Sequence, residues 1–168
     1  MRILGIDPGL NITGYGLIET KDNNEIVLIE AGVIRPSRKN SLPQRLLHIY
    51  SEITKLIEEH KPEVLVLEKT FSHYKYPATA ISISYVRGLV CLISGQMNIP
   101  LYDYSATRIK KALTGKGHAS KEQVKKMIFN FLNIKGSSRY VDITDALALA
   151  MGHFRLKSSR ALIDKVKK

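Results

Sequence analysis

Two short apolar runs, Ile3-Leu4-Gly5-Ile6 and Val64-Leu65-Val66-Leu67, each end on an acid, Asp7 and Glu68. Apolar runs this short, the first closed by the turn pair Pro8-Gly9, read as buried strands. From Leu42 to His60, Leu46, Leu47, Ile49, Tyr50, Ile53, Leu56 and Ile57 recur at helical spacing, and Pro62 ends the segment. If that helix joins the two strands as parallel neighbours, both carboxylates emerge at one edge of a sheet, where open α/β sheets build their sites. Either acid alone could also simply end its strand in solvent.

The remaining pattern extends this sheet. Thr13–Thr20 predicts a second strand, and a polar turn at Lys21-Asp22-Asn23-Asn24 leads to a third over Glu25–Ala31. After a Tyr-rich loop, Ala78–Met97 reads as a long helix and Leu101–Tyr104 as a short strand. Ser105 caps a basic helix that ends near Thr114-Gly115-Lys116-Gly117. Ser120 with Gln123 is a capping-box pattern opening the next helix, which ends near Leu132. The last strong helix spans Asp142–Leu156. A three-strand meander followed by alternating helices and strands predicts an α/β fold, a five-stranded mixed sheet with helices on both faces. We expect one domain over residues 1–157 and a basic tail over 158–168.

Charge narrows the partners. The net charge is +11 at pH 7, yet residues 1–107 balance 11 Lys/Arg against 11 Asp/Glu. The excess lies in residues 108–168, with 15 Lys/Arg against Glu122, Asp142, Asp145 and Asp164. A segment so cationic attracts polyanions, and nucleic acid is the usual partner of a basic domain. No uninterrupted apolar run approaches the roughly 18 residues that span a bilayer. The first residues carry charge and a Pro-Gly pair too early for a secretory signal, and Cys91 has no second cysteine to pair with. A cytoplasmic protein with no membrane role is expected.

Asp142 and Asp145, three apart at the start of a helix, share a face. Acids there complement the helix dipole, but these two are half the acids of a cationic segment. The helix then turns to Ala146-Leu147-Ala148-Leu149-Ala150-Met151, suited to close packing. Four carboxylates without His or Cys companions form an all-oxygen set, which Mg²⁺ or Mn²⁺ prefers over zinc. Two such ions roughly 3.5–4 Å apart can activate water and stabilise the leaving oxygen of a phosphodiester. His153, on the same helix face but about 16 Å along it, is expected to have a structural or surface role rather than to ligate metal. Gly5, Gly9, Gly14 and Gly16 make no dinucleotide fingerprint, because a strand follows the turn. The rings of Phe71, Tyr74 and Tyr76 could pack in the loop or stack on splayed bases.

These residues resemble the RuvC family of Holliday-junction resolvases over nearly the whole chain. Gly5-Ile6-Asp7-Pro8-Gly9 with Thr13-Gly14-Tyr15-Gly16 is similar to the family's first strand and hairpin. Leu67-Glu68-Lys69-Thr70-Phe71 is similar to its second acidic motif, and Asp142-Ile143-Thr144-Asp145-Ala146-Leu147-Ala148-Leu149-Ala150 to its last. The resemblance implies a ribonuclease H-like fold and a homodimer that nicks two like-polarity strands of a four-way DNA junction during recombination and repair. It implies Asp7, Glu68, Asp142 and Asp145 as the catalytic, metal-binding set, with one or two Mg²⁺ per subunit and Mn²⁺ as a possible substitute. Phe71, Lys110 and Lys121 match DNA-contacting positions, and a branch-migration motor is an implied partner. The stretch Ser72-His73-Tyr74-Lys75-Tyr76-Pro77 departs from the family's usual small residues and Asn. An ATP-binding protein with a Gly-Ile-Asp opening strand needs a much longer, two-lobed chain. An RNA-directed nuclease of the same fold and a non-catalytic binding module would share these acids.

Overall fold

The computed structural model describes residues 1–21, 25–69, 77–133 and 143–166, with 160–166 as backbone. Its elements run β1 (Arg2–Asp7), β2 (Thr13–Thr20), β3 (Ile26–Ile34), α1 (Leu42–His60), β4 (Val64–Glu68), α2 (Pro77–Met97), β5 (Leu101–Tyr104), α3 (Ala106–Thr114), α4 (Lys121–Phe131) and α5 (Thr144–Val166). The strands form one sheet in the order β3-β2-β1-β4-β5. β1, β2 and β3 pair antiparallel as a meander, whereas β4 lies parallel to β1 and β5 parallel to β4. Asp7 and Glu68 therefore end adjacent parallel strands, and α1 is the crossover between them.

Strand alternation sorts the core into two layers. Leu4, Ile6, Leu65 and Leu67 pack against Ile49 and Ile53 of α1 and Val86, Val90 and Ile93 of α2. Ile3, Val64 and Val66 face the other way, against α5, α3 and α4 through Leu147, Ala150, Ile109 and Ile128. The signals that bound the helices are local. Gln44 accepts from the Ser41 N–H at 3.0 Å at the start of α1, which ends at Lys61 in the left-handed region (φ 49°) just before Pro62. Ser120 and Gln123 form the expected reciprocal cap on α4, at 2.9 and 3.2 Å.

Three elements differ from the sequence expectation. β3 runs on to Ile34, past Ala31, because its pairing with β2 resumes across a bulge at Leu17/Ile18. α5 continues past Leu156 to Val166, since no Gly or Pro interrupts that stretch. α2 is long and apolar enough by composition to cross a bilayer, with a mean hydropathy of 1.4. Ser82, Ser84, Arg87 and Ser94 break its apolar run, which is why run length alone missed it. Val86, Val90 and Ile93 on α2 are fully buried in the protein's own core. The predicted turn at 22–24, Phe71 with its neighbouring tyrosines, and Asp142 lie outside the described residues.

Candidate functional site

Period-two alternation puts residues 3, 5 and 7 of β1 on the α5 face, and residues 64, 66 and 68 of β4 beside them. Ile3, Val64 and Val66 occupy that face in the core, so Asp7 and Glu68 are the next positions outward. What brings α5 to them is a pair of glycines. Gly5 and Gly16 are cross-strand partners. A Cβ on Gly5 would stand 2.1 Å from the Ala146 carbonyl oxygen, and one on Gly16 would lie 2.7 Å from Leu147 Cδ2. The bare backbone lets Ala146 and Ala150, both fully buried, settle onto the sheet. Asp145, in the first turn of α5, is thereby held over the strand ends.

The electrostatics register this proximity. Burial pushes the Asp7 carboxyl above the usual carboxylate range, repulsion from Asp145 adds to it, and Lys121 opposes it. Glu68 is raised likewise, by burial first and then by Asp7 and Asp145, against Lys121 and Lys110. Lys121 Nζ donates to Asp145 Oδ2 at 2.8 Å, and that bond raises the lysine's own pKa. The Ser120 cap places Lys121 at the first position of α4. A cavity of about 160 Å³ opens here, lined by Glu68, Lys110, Lys121 and Asp145 over the apolar floor of Ile109 and Leu149.

The structure thus gathers Asp7, Glu68, Asp145, Lys110 and Lys121, while Asp142 and Phe71 lie outside the described residues. Among the described residues, no three His, Cys, Asp or Glu side chains stand close enough to ligate one ion together. The donor chemistry nonetheless fits a hard cation. Three carboxylates face one another without an imidazole or thiolate, and burial first, then mutual repulsion, makes Asp7 and Glu68 resist ionisation.

His153 is 2% exposed and its Nδ1 lies 3.0 Å from the Tyr104 hydroxyl. Burial, and then Lys157, lowers its pKa to about 4, so the ring is neutral and braces β5 against α5. Two contributors escaped the sequence reading. One is the Gly5/Gly16 pair, which makes no nucleotide fingerprint and carries no other local signal. The other is Arg87 of α2, which donates to the main-chain carbonyl of Glu68 and to Asp103 Oδ1 at 2.8 Å, clamping the end of β4. A lone arginine in an apolar helix was the available signal.

Residues 3–153 match the family described as crossover junction endodeoxyribonuclease RuvC. The chain belongs to the RuvC family. Relatives of that name include one from Caldicellulosiruptor saccharolyticus, 40% identical over 95% of each chain. Another, from Ehrlichia ruminantium strain Welgevonden, is 44% identical over 91% of this chain and 96% of its own. Among solved structures, RuvC of Thermus thermophilus in complex with a Holliday junction substrate superimposes with a TM-score of 0.87 at 29% identity, covering 94% of each chain. The yeast mitochondrial Holliday junction resolvase shares the fold at 17% identity, with a TM-score of 0.65. Membership in the RuvC family makes this chain a nuclease, with the ribonuclease H-like fold expected from its motifs.

Proposed function

We propose that this enzyme resolves four-way DNA junctions as a homodimer, each subunit nicking one of two like-polarity strands. The observation that carries the reading is the meeting of Asp7, Glu68 and Asp145 at the ends of parallel β1 and β4, beside Lys110 and Lys121, in a chain matched to RuvC over almost its full length. Asp7, Glu68, Asp142 and Asp145 would hold one or two divalent cations, Mg²⁺ with Mn²⁺ as a substitute. Cations bound there supply Lewis-acid chemistry, lowering the pKa of water and stabilising charge on phosphate oxygens.

The chain's own groups do the rest. Lys121, tethered to Asp145, and Lys110 offset the charge of the scissile phosphate and hold it over the carboxylates. Arg87 fixes the backbone of Glu68, so that its carboxylate is positioned before substrate arrives. The apolar floor beneath the cavity limits water around the reacting phosphate. Phe71 is assigned to junction bases by its place in the second acidic motif, and a branch-migration motor by family resemblance.

The dimer is supported by α2. Ile81, Tyr85 and Leu92 are 54%, 45% and 55% exposed, and they recur on one helical face with Gly88 and Gly95. Neither glycine has another element's atom within 4 Å of where a Cβ would be, so nothing among the described residues covers the helix at those two positions. A second copy related by two-fold symmetry would bury it and pair two sites across a two-fold symmetric junction. The deciding experiment incubates the protein with a synthetic four-way junction, with and without Mg²⁺, beside a linear duplex and structured RNA. Paired, symmetric, Mg²⁺-dependent nicks in the junction are expected; cutting of RNA instead, or binding without product, would overturn the reading.

A further inference from the structure

The carboxylates can be approached from a second side. On the α1/α2 face of the sheet, a groove of about 590 Å³ runs between the turn Pro8–Ile12 and the first turns of α2, with Arg38 in its lining. Asp7 belongs to its wall and, among the described residues, is the sole acid there, whereas the cavity with Lys110 and Lys121 lies on the α3/α4/α5 side. Asp7 walls the groove and Glu68 the cavity, and the two acids end adjacent parallel strands, so the recesses lie on either side of that pair. A strand whose phosphate sits on the carboxylates has to leave in both directions.

The groove is built rather than incidental. Its turn is pinned from outside itself: Thr13 Oγ1 donates to the Gly9 carbonyl at 2.7 Å. Arg45 of α1 donates to the Leu10 carbonyl and to Asn11 Oδ1, both at 2.8 Å. A Cβ on Gly9 would lie 2.3 Å from the Ile12 carbonyl oxygen, so the turn has one tight conformation. It leaves Ile12 43% exposed beside the groove. Arg38 sits in a second short turn, where the Asn40 N–H donates to the Ser37 carbonyl at 3.1 Å and the Lys39 N–H to Ser37 Oγ at 3.3 Å. Among the described residues neither Arg38 nor Arg45 has an acidic partner. A groove lined by one acid, the unneutralised guanidinium of Arg38 and the hydroxyl residues Thr79 and Ser82, with Arg45 behind its turn, suits a polyanion threaded past Asp7.

We infer that this groove takes a nucleotide flanking the scissile phosphate, on the side away from the cavity of Lys110 and Lys121, with Arg38 on its phosphate. The inference rests on the junction-cutting reading and adds the path of the cut strand. Arg38 is a positioning residue, acting on a neighbouring phosphate rather than on the reacting atoms.

The test measures single-turnover cleavage of junctions that each carry one neutral methylphosphonate near the cut. Loss of one charge-assisted contact should slow the wild-type enzyme about tenfold at the flanking phosphate. Arg38→Ala, at an exposed loop residue, should lose about as much on the all-phosphate junction. It should then lose nothing more when that one phosphate is neutralised. Lys110→Ala, whose target is the scissile phosphate, should remain as sensitive as the wild type to that neutralised flanking phosphate. The inference is overturned if Arg38→Ala cleaves at the wild-type rate. It also fails if that variant stays sensitive at every position, or if Lys110→Ala loses its sensitivity at the same flanking phosphate. A wild-type enzyme that cuts no junction removes the nuclease reading itself, and this inference with it.

Discussion

The Asp7 carboxyl is buried and faces Asp145, so ionising it at neutral pH works against both desolvation and repulsion. A carboxylate with a raised folded-state pKa destabilises the fold above that pKa, and the penalty lifts as pH falls through it. Asp7→Asn removes the penalty at all pH values. In metal-free buffer it should raise the melting temperature by about 3 °C, the shift of roughly 1 kcal/mol in a chain this long. The same variant should abolish cleavage while leaving junction affinity nearly intact, and Mg²⁺ should stabilise it less than the wild type. Calorimetry and a gel-shift assay read these out; cutting at the wild-type rate would end the proposed role of Asp7. Lys121 is judged by cleavage rate. With its 2.8 Å contact to Asp145 removed, Lys121→Ala should slow single-turnover cutting by about a hundredfold, with partial recovery in Lys121→Arg.

At the scale of elements, the approach of α5 to β1 decides whether the acids meet. Gly5→Ala would push a methyl into the Ala146 carbonyl, 2.1 Å away. Helix backbone cannot yield there as a side chain would. We expect a loss of about 1–3 kcal/mol in urea unfolding, with cleavage falling further than that instability explains. A second joint ties α1 to the meander. Tyr15 donates to Glu30 Oε1 at 2.7 Å, and His60 Nε2 lies 2.7 Å from Glu30 Oε2. The Tyr15 hydroxyl, and then His60, hold the Glu30 carboxyl below its usual 4.5 despite partial burial. A depressed carboxylate pKa stabilises the fold above the ordinary value and loses that contribution as pH falls through the folded-state pKa. Glu30→Gln should therefore cost no more than about 1 kcal/mol at pH 7, given how exposed the carboxylate is. The gap to wild type should close below pH 4.5. Thermal melts across that range check it; a gap that widens in acid would contradict the assignment.

For the whole molecule, the cationic excess of residues 108–168 implies binding dominated by released counterions. If six or more phosphates are contacted, junction affinity should fall about 10³-fold between 50 and 200 mM salt. An affinity indifferent to salt would mean that the basic surface is not the binding face. Much of the architecture was legible in the chain. Apolar runs ending at Asp7 and Glu68 announced buried strands, the Ser120/Gln123 pair announced the start of α4, and alternating small and apolar residues after Asp145 announced a tightly packed helix. Each of these is a local property, read over a few residues, and local physics decides it: alternation, helical periodicity, capping and charge. The order β3-β2-β1-β4-β5, the seating of α5 on Gly5 and Gly16, Arg87 on the end of β4, and the recesses on either side of Asp7 are different in kind. They depend on which distant segments become neighbours. Packing energy settles that only once the whole chain has condensed, because a glycine or an arginine carries no mark of the partner it will meet.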